Sequence, residues 1–132
     1  PLGDMDSRVG ITITNIDDRI SKMTEPGAPL PGARLSALKA LTDAGIDCYA
    51  LIAPTMSTLE GREMELMEAI ASTGARVVFH DPLNIRNVDT TRLNRMGITA
   101  SQRARDRLTQ AGTELGLTVL DTFENRGPSA GT

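Results

Sequence analysis

Polar and apolar positions along the chain alternate between two periods. Val9-Gly-Ile-Thr-Ile-Thr-Asn15 alternates and is rich in β-branched residues, which predicts a strand. Ile16-Asp-Asp-Arg-Ile20 reads as the start of a short helical turn. Thr24 to Gly32 holds three prolines and two glycines and predicts a loop. Pro31 suits the first turn of a helix, where its missing N–H costs nothing. Ala33 to Ala44 is then helical: Leu35, Leu38 and Leu41 recur on one face, and Gly45 is placed to close it. Ile46-Asp-Cys-Tyr-Ala-Leu-Ile-Ala-Pro54 is almost continuously apolar, the mark of a strand covered on both faces. Leu59 to Ala71 is the next helix, with Leu66, Met67 and Ile70 as its buried stripe. Ser57 or Thr58 would cap it and Gly74 would end it. Arg76 to His80 is a third buried strand, followed by a long loop from Asp81 to Gly97. Thr99 with Gln102 fits a capping box for a helix over 100–115. Ala104, Leu108, Ala111 and Leu115 give that helix a core face, while Arg103, Arg105 and Arg107 are spread over its other sides. Gly116 stops it, and Leu117-Thr-Val-Leu120 is a short fourth strand.

The resulting order, β-α-β-α-β-α-β, predicts parallel strands joined by right-handed crossovers. The fold class expected is α/β: a partial (βα)-barrel of about four parallel strands with three covering helices. Half a barrel leaves two strand edges unpaired. Pro1-Leu2-Gly3 ahead of Met5 reads as the remnant of a cleaved tag, so residues 1–5 are set aside as a disordered start. Residues 6–123 are expected to form a single βα-repeat domain. The Gly-, Pro- and Ser-rich stretch 124–132 is expected to be a flexible tail.

Composition narrows the function. A chain of 132 residues holds one domain. A net charge of −3 gives no electrostatic case for nucleic acid or an anionic membrane. No apolar run approaches the ~20 residues that span a bilayer, and Pro1 to Met5 lacks the pattern of a secretory leader. The single Cys48 cannot form an internal disulfide and fits a reducing cytoplasm. One tyrosine, two phenylalanines and no tryptophan leave an aliphatic core and no platform for stacked nucleobases.

Candidate chemistry gathers where the third strand ends. The run Arg76-Val-Val-Phe-His-Asp-Pro-Leu-Asn-Ile-Arg86 passes from apolar residues into His80, Asp81, Pro82, Asn84 and Arg86. A buried strand stopping at polar groups is what the mouth of a parallel sheet or barrel looks like. His80, the only histidine, would serve as a proton shuttle or ligand donor, or else be a strand-end imidazole bonded to a backbone carbonyl. Arg86 and Asn84 would hold a carboxylate or phosphate, or else Arg86 would pair with Asp81 or Asp89. His80 with Asp81 is too few ligands for a metal. Asp17-Asp18 reads as a solvated helix start, and Met64 with Met67 as core filler. There is no Gly-x-Gly-x-x-Gly, no Walker loop and no nucleophile elbow.

Five stretches together resemble the C-terminal half of a radical S-adenosylmethionine barrel of the spore photoproduct lyase-like type. They are Val9-Gly-Ile-Thr-Ile-Thr-Asn15, Glu25-Pro-Gly-Ala-Pro29, Arg34-Leu-Ser-Ala-Leu-Lys-Ala-Leu-Thr-Asp-Ala-Gly-Ile46, Ala50-Leu-Ile-Ala-Pro54 and Phe79-His-Asp-Pro-Leu-Asn-Ile-Arg86. The likeness weakens over Met56-Ser-Thr-Leu59, where the family commonly has a Pro-Gly turn. It implies the last three βα units of a partial barrel, with S-adenosylmethionine as cofactor at the C-terminal ends of the strands. The implied cofactor contacts are Thr12, Thr14, Asn15, Pro54, Thr55 and His80; the implied substrate contacts are Asp81, Asn84 and Arg86. The family's other half carries the CxxxCxxC loop that holds an iron–sulfur cluster. One cysteine cannot hold such a cluster, so no iron–sulfur cluster and no metal is expected on this chain alone.

Two functional expectations follow. The first is a fragment or split half of a radical S-adenosylmethionine-like barrel that keeps part of a cofactor and substrate pocket. The second is a non-catalytic interaction module, a regulator or inhibitor such as a mobile element would carry. It would act through exposed strand edges, covered by a protein partner or by a second copy in a homo-oligomer.

Overall fold

The computed structural model describes residues 8–80 and 91–121. The strands are β1 (Val9–Thr12), β2 (Cys48–Ile52), β3 (Val77–His80) and β4 (Thr118–Asp121). The helices are α1 (Asp18–Thr24), α2 (Pro31–Asp43), α3 (Glu63–Ser72), α4 (Thr91–Arg95) and α5 (Gln102–Glu114), with a 3-10 turn at Ser57–Leu59.

All four strands are parallel and lie in the order β1-β2-β3-β4. A doubly wound sheet turns back on itself at a switch point. Here every crossover steps the same way, as along the wall of a (βα)-barrel. The fold is therefore α/β with a partial-barrel arrangement, and α2, α3 and α5 are the three helices that connect its strands.

Register fixes which residues share a face. Val9 pairs with Cys48 and Ile11 with Ala50; Ala50 pairs with Val78, Ile52 with His80, and Val78 with Val119. Ile11, Ile13, Cys48, Ala50, Ile52 and Val78 pack against Leu38 of α2, Leu66, Met67 and Ile70 of α3, and Ala104, Leu108 and Ala111 of α5. Each fully buried Leu, Ile or Met in this layer contributes about 1.5–3 kcal/mol. The alternate residues Tyr49, Leu51, Ala53, Val77 and Phe79 cluster on the opposite, inner face, with Leu120 against them. Tyr49 meets Phe79 edge to face, with ring centroids 5.0 Å apart and planes at 75°. A strand buried on both faces reads as a continuous apolar run, which is why β2 was legible in the sequence.

Helix ends follow the glycine signals. Gly45, Gly74 and Gly116 follow α2, α3 and α5 as expected, and each takes the left-handed conformation. Starts differ more. The N-cap of α5 is Ser101, whose Oγ accepts from the Ala104 N–H at 3.0 Å, rather than Thr99. Thr99 is instead drawn into pairing with the β2 side, where its carbonyl accepts from Ser57 N–H at 2.7 Å. The third helix begins at Glu63, later than its apolar pattern suggests, and neither Ser57 nor Thr58 caps it. Those two residues are spent in the 3-10 turn, and Gly61 at φ +89° breaks the chain direction before α3. Glu63 Oε1 accepts from the Gly61 N–H at 2.9 Å. Met67 is core, but Met64 is 38% exposed and is not. Helix α4 lies in a stretch expected to be loop. Among the described residues, no helix is long and apolar enough to cross a membrane.

Candidate functional site at the C-terminal ends of the strands

In parallel α/β architectures ligands bind beyond the carboxyl ends of the strands. Here the loops leaving β1 and β2 meet one another at that end.

Beyond β1, Thr14 and Asn15 are buried. Asn15 Oδ1 accepts from the Asp17 N–H at 2.9 Å and from Ser21 Oγ at 3.3 Å, and Asn15 Nδ2 donates to Thr14 Oγ1 at 3.5 Å. Asn15 thus ties the strand end to α1 and steadies the Thr14 hydroxyl. Asp17 caps α1, its Oδ1 accepting from the N–H groups of Arg19 at 2.8 Å and Ile20 at 3.3 Å. Those N–H groups are the main reason its carboxyl titrates below the ordinary range. Arg62, just ahead of α3, donates from Nη1 to Asp17 Oδ2 at 3.1 Å. Its Nε and Nη2 each reach a Glu65 carboxylate oxygen at 3.0 Å. This fork lowers the Glu65 pKa and raises that of Arg62. The three charges link the first two strand–helix loops. Arg62 and Asp17 are half-buried and Glu65 is exposed, so water screens the pairs and they add little to stability.

Beyond β2, the Ala53–Pro54 peptide is cis. Thr55 is fully buried, its Oγ1 donating to the Ile52 carbonyl at 3.2 Å and its own carbonyl accepting from Ser101 N–H at 2.9 Å. Residues 91–101 return to this point. Met56 pairs with Ala100 in an antiparallel bridge, and Thr99 N–H donates to Ser57 Oγ at 3.1 Å. Leu93 and Ile98 bury themselves against Met56. Ser101 Oγ also donates to Glu60 Oε2 at 2.5 Å.

His80, an implied cofactor contact, closes β3. It shares the helix-facing side with Ile52 and Val78, while Phe79 takes the inner face. His80 Nε2 is hydrogen bonded with Thr109 Oγ1 of α5 at 3.2 Å, a hydroxyl rather than the backbone carbonyl considered above. Its pKa is lowered, first by burial; Asp121 opposes this and Arg105 adds to it. Arg105 donates to Asp121 Oδ2 at 2.8 Å. Asp81, Asn84 and Arg86 lie outside the described residues.

The candidate contacts therefore divide. Thr14, Asn15, Pro54 and Thr55 come together at the C-terminal ends of β1 and β2, and His80 faces α5. Thr12 shares the inner-side parity of Thr14, and its carbonyl accepts from Arg34 Nη1 at 2.8 Å. Val9 and Ile13 give their N–H groups to β2, so by ladder alternation Thr12 turns its backbone groups to the free edge of the sheet. Arg34, which also donates to the Pro29 carbonyl at 3.1 Å and pairs with Glu25 at 3.5 Å, caps that edge. Sequence reasoning gave no role to Arg34 or Arg62. A cation in the first turn of α2, where the helix dipole disfavours it, was the available signal for Arg34.

The donor set does not suit an iron–sulfur cluster. Cys48, the chain's one cysteine, opens β2 at the opposite end of the sheet, buried in the helix-facing core with its thiol pKa raised by burial. Among the described residues no three His, Cys, Asp or Glu side chains gather to hold a metal. Among the described residues, the polar groups found beyond β1 and β2 include the buried Thr14 hydroxyl and the backbone around Pro54 and Thr55.

No family model matches the chain. A stretch of 81 residues is 32% identical to the uncharacterized protein Rv2578c of Mycobacterium tuberculosis and to the uncharacterized protein Mb2609c of Mycobacterium bovis. The match takes in 59% of this chain and 24% of each relative, so the chain spans about a quarter of the length of the curated relatives it matches. No solved structure matches it.

Proposed function

We propose that this domain is one wall of a radical S-adenosylmethionine-type barrel, a fragment or split half that keeps part of the cofactor and substrate pocket. The observation that carries the reading is the unbroken β1-β2-β3-β4 order, with small polar residues collected just beyond β1 and β2. Relatives about four times as long as the matched stretch agree with it, since a complete barrel needs further strands.

In this reading the Thr14 hydroxyl donates to the polar end of S-adenosylmethionine, and Asn15 holds that hydroxyl in place. Thr12 borders the same side, and the backbone from Ala53 to Thr55 lies along the adenosyl group. Asp81, Asn84 and Arg86 are the substrate contacts. His80 acts at one remove, by anchoring the end of β3 to α5. S-adenosylmethionine supplies a reactive adenosyl group when reduced; the electron must come from a cluster held elsewhere, in a reducing cytoplasm. Calorimetric titration with S-adenosylmethionine tests the reading: saturable heat is expected from the wild type, weakened at least tenfold in Thr14→Val, the scale of one well-placed hydrogen bond. Absence of heat at millimolar ligand would refute cofactor binding by this chain.

A second reading, association through the outer edge of β1, is favoured by Val9 and Ile46. Val9 opens β1 and bonds Asp47, the neighbour of Ile46 ahead of β2; Val9 is 46% and Ile46 43% exposed. A protein partner or a second copy covering that edge would act without catalysis. Sedimentation at rising concentration tests self-association, and a monomer throughout counts against it.

A further inference from the structure

His80 and Asp121 end β3 and β4 as register partners, so their side chains share the helix-facing side of the sheet. Two residues of α5, four apart and therefore on one face of the helix, meet them. Arg105 Nη1 donates to Asp121 Oδ2 at 2.8 Å, and Thr109 Oγ1 lies 3.2 Å from His80 Nε2. The Thr109 hydroxyl also reaches the Arg105 carbonyl at 3.2 Å. A hydroxyl has one hydrogen. With that hydrogen given to the carbonyl, Thr109 Oγ1 accepts from the His80 Nε2–H, and Nδ1 of the neutral imidazole carries a bare lone pair. Nδ1 is buried without a hydrogen-bond partner. Among the described residues, the charges that act on the imidazole are Asp121 from β4 and Arg105 and Asp106 from α5. Its neighbour on β2 is the uncharged Ile52.

We infer that His80 is a proton-operated catch: a proton taken up at Nδ1 makes the imidazole a second cation beside Asp121, where it competes with Arg105 for the carboxylate and loosens the first half of α5 from the end of β4. In the neutral state Thr109 ties α5 to β3 while Arg105 ties it to β4. The imidazolium presents two N–H donors. Nε2–H keeps Thr109, and Nδ1–H needs an acceptor; the Asp121 carboxylate is adjacent by register. The two cations, joined through residues one helical turn apart, also repel each other. Water screens that repulsion poorly, since the Asp121 and Arg105 side chains are 9% and 23% exposed. Burial, the largest influence on the imidazole, keeps it neutral near neutral pH, so the catch is set there and released on acidification. The device operates with or without a ligand beyond β1 and β2.

His80 is the chain's only histidine, so its ring nitrogens give unambiguous resonances. Nitrogen NMR of the full chain, titrated downwards from about pH 8, reads the tautomer and the midpoint; amide protection factors on either side of that midpoint read the tie to α5. Neutral His80 is expected to carry its proton on Nε2 and to titrate below about 6.5. Below the midpoint, amides over 105–109 should lose about tenfold in protection relative to those of α2, the factor for one charge-assisted hydrogen bond. Arg105→Gln removes a neighbouring cation, so it should move the midpoint up and leave 105–109 equally protected on both sides of it. His80→Gln should show no step in protection at all. A neutral tautomer protonated at Nδ1, unfolding before the imidazole titrates, or unchanged relative protection through the midpoint would each overturn the catch. So would an unmoved midpoint in Arg105→Gln, or the wild-type loss of protection persisting in His80→Gln.

Discussion

Gly112→Ala puts a sharp question to the packing of α5. A methyl group built at Gly112 lies 2.2 Å from Val119 Cγ2 and 3.0 Å from Met67 Cε. Carbon atoms in contact prefer 3.5–4.0 Å, so about 1.5 Å of room must be found on the Val119 side. Met67 Cε ends a flexible thioether and can turn aside cheaply. Val119 is β-branched on a strand, stiff at χ1, and cannot move its methyl without meeting new neighbours. The remaining response is for α5 to back away from β4, loosening the layer that holds Leu108 and Ala111. Overpacking of this kind costs about 1–3 kcal/mol, and the stiff partner places it in the upper half of that range. Alanine regains about 1 kcal/mol over glycine inside a helix. The net expectation is a loss of about 1–2 kcal/mol. With no tryptophan in the chain, urea unfolding followed by far-ultraviolet circular dichroism is the assay. Val119→Ala and the double variant complete a cycle, in which Val119→Ala should remove the clash and leave a coupling of about 1–3 kcal/mol. A Gly112→Ala protein as stable as wild type, or strict additivity in the cycle, would refute this account of the α5–β4 contact.

Two further outcomes follow from the caps and from the buried imidazole. Ser101→Ala should cost about 1 kcal/mol in urea midpoint stability, while Thr99→Ala costs a few tenths, because only Ser101 caps α5 with its side chain. Equal losses would return the cap to Thr99. His80 has a folded pKa below its unfolded value near 6.5, so its neutral form is the one folding favours. Stability tied to it is therefore full above that value and falls as pH drops below it, until the folded pKa is passed. Chemical denaturation of wild type and His80→Gln between pH 7.5 and about pH 5 should show the two curves converging as the wild type loses this contribution; parallel curves would mean that His80 is not held neutral.

Much of the fold was legible because two signals agreed along the chain. Continuous apolar runs marked β2 and β3, and glycines stood two residues beyond the ends of α2, α3 and α5. The order of elements then implied the parallel sheet. What was not legible depended on contacts between distant segments. Thr99 and Ser101 are equally plausible caps in sequence; the pairing of Thr99 with Ser57, 42 residues away, decides for Ser101. Helix α4 is too short to show a period, so only Gly97 hinted at it. The side chosen by His80 turned on parity. Two neighbours on a strand cannot share a face, and Phe79, the larger apolar group, occupies the inner one. For the candidate site, Thr14 and Thr55 entered only through the family resemblance, whereas the Asp17–Arg62 link joins residues 45 apart in the chain and has no local signature.

The guanidinium of Arg34 on the Thr12 carbonyl has a consequence for the open edge of this four-stranded sheet. An open parallel edge invites any extended chain to join it, and the invitation grows with concentration. Arg34 occupies an acceptor that an incoming strand would need, and it does so from within the same molecule, at an effective concentration no stranger can match. A neighbouring strand on the same polypeptide competes on equal terms, and displacing Arg34 toward Glu25, already within 3.5 Å, leaves the cation a place to go. The edge is in this way guarded from within at one position: any arriving strand, from a second copy, a partner or the same chain, must displace Arg34 before it pairs there.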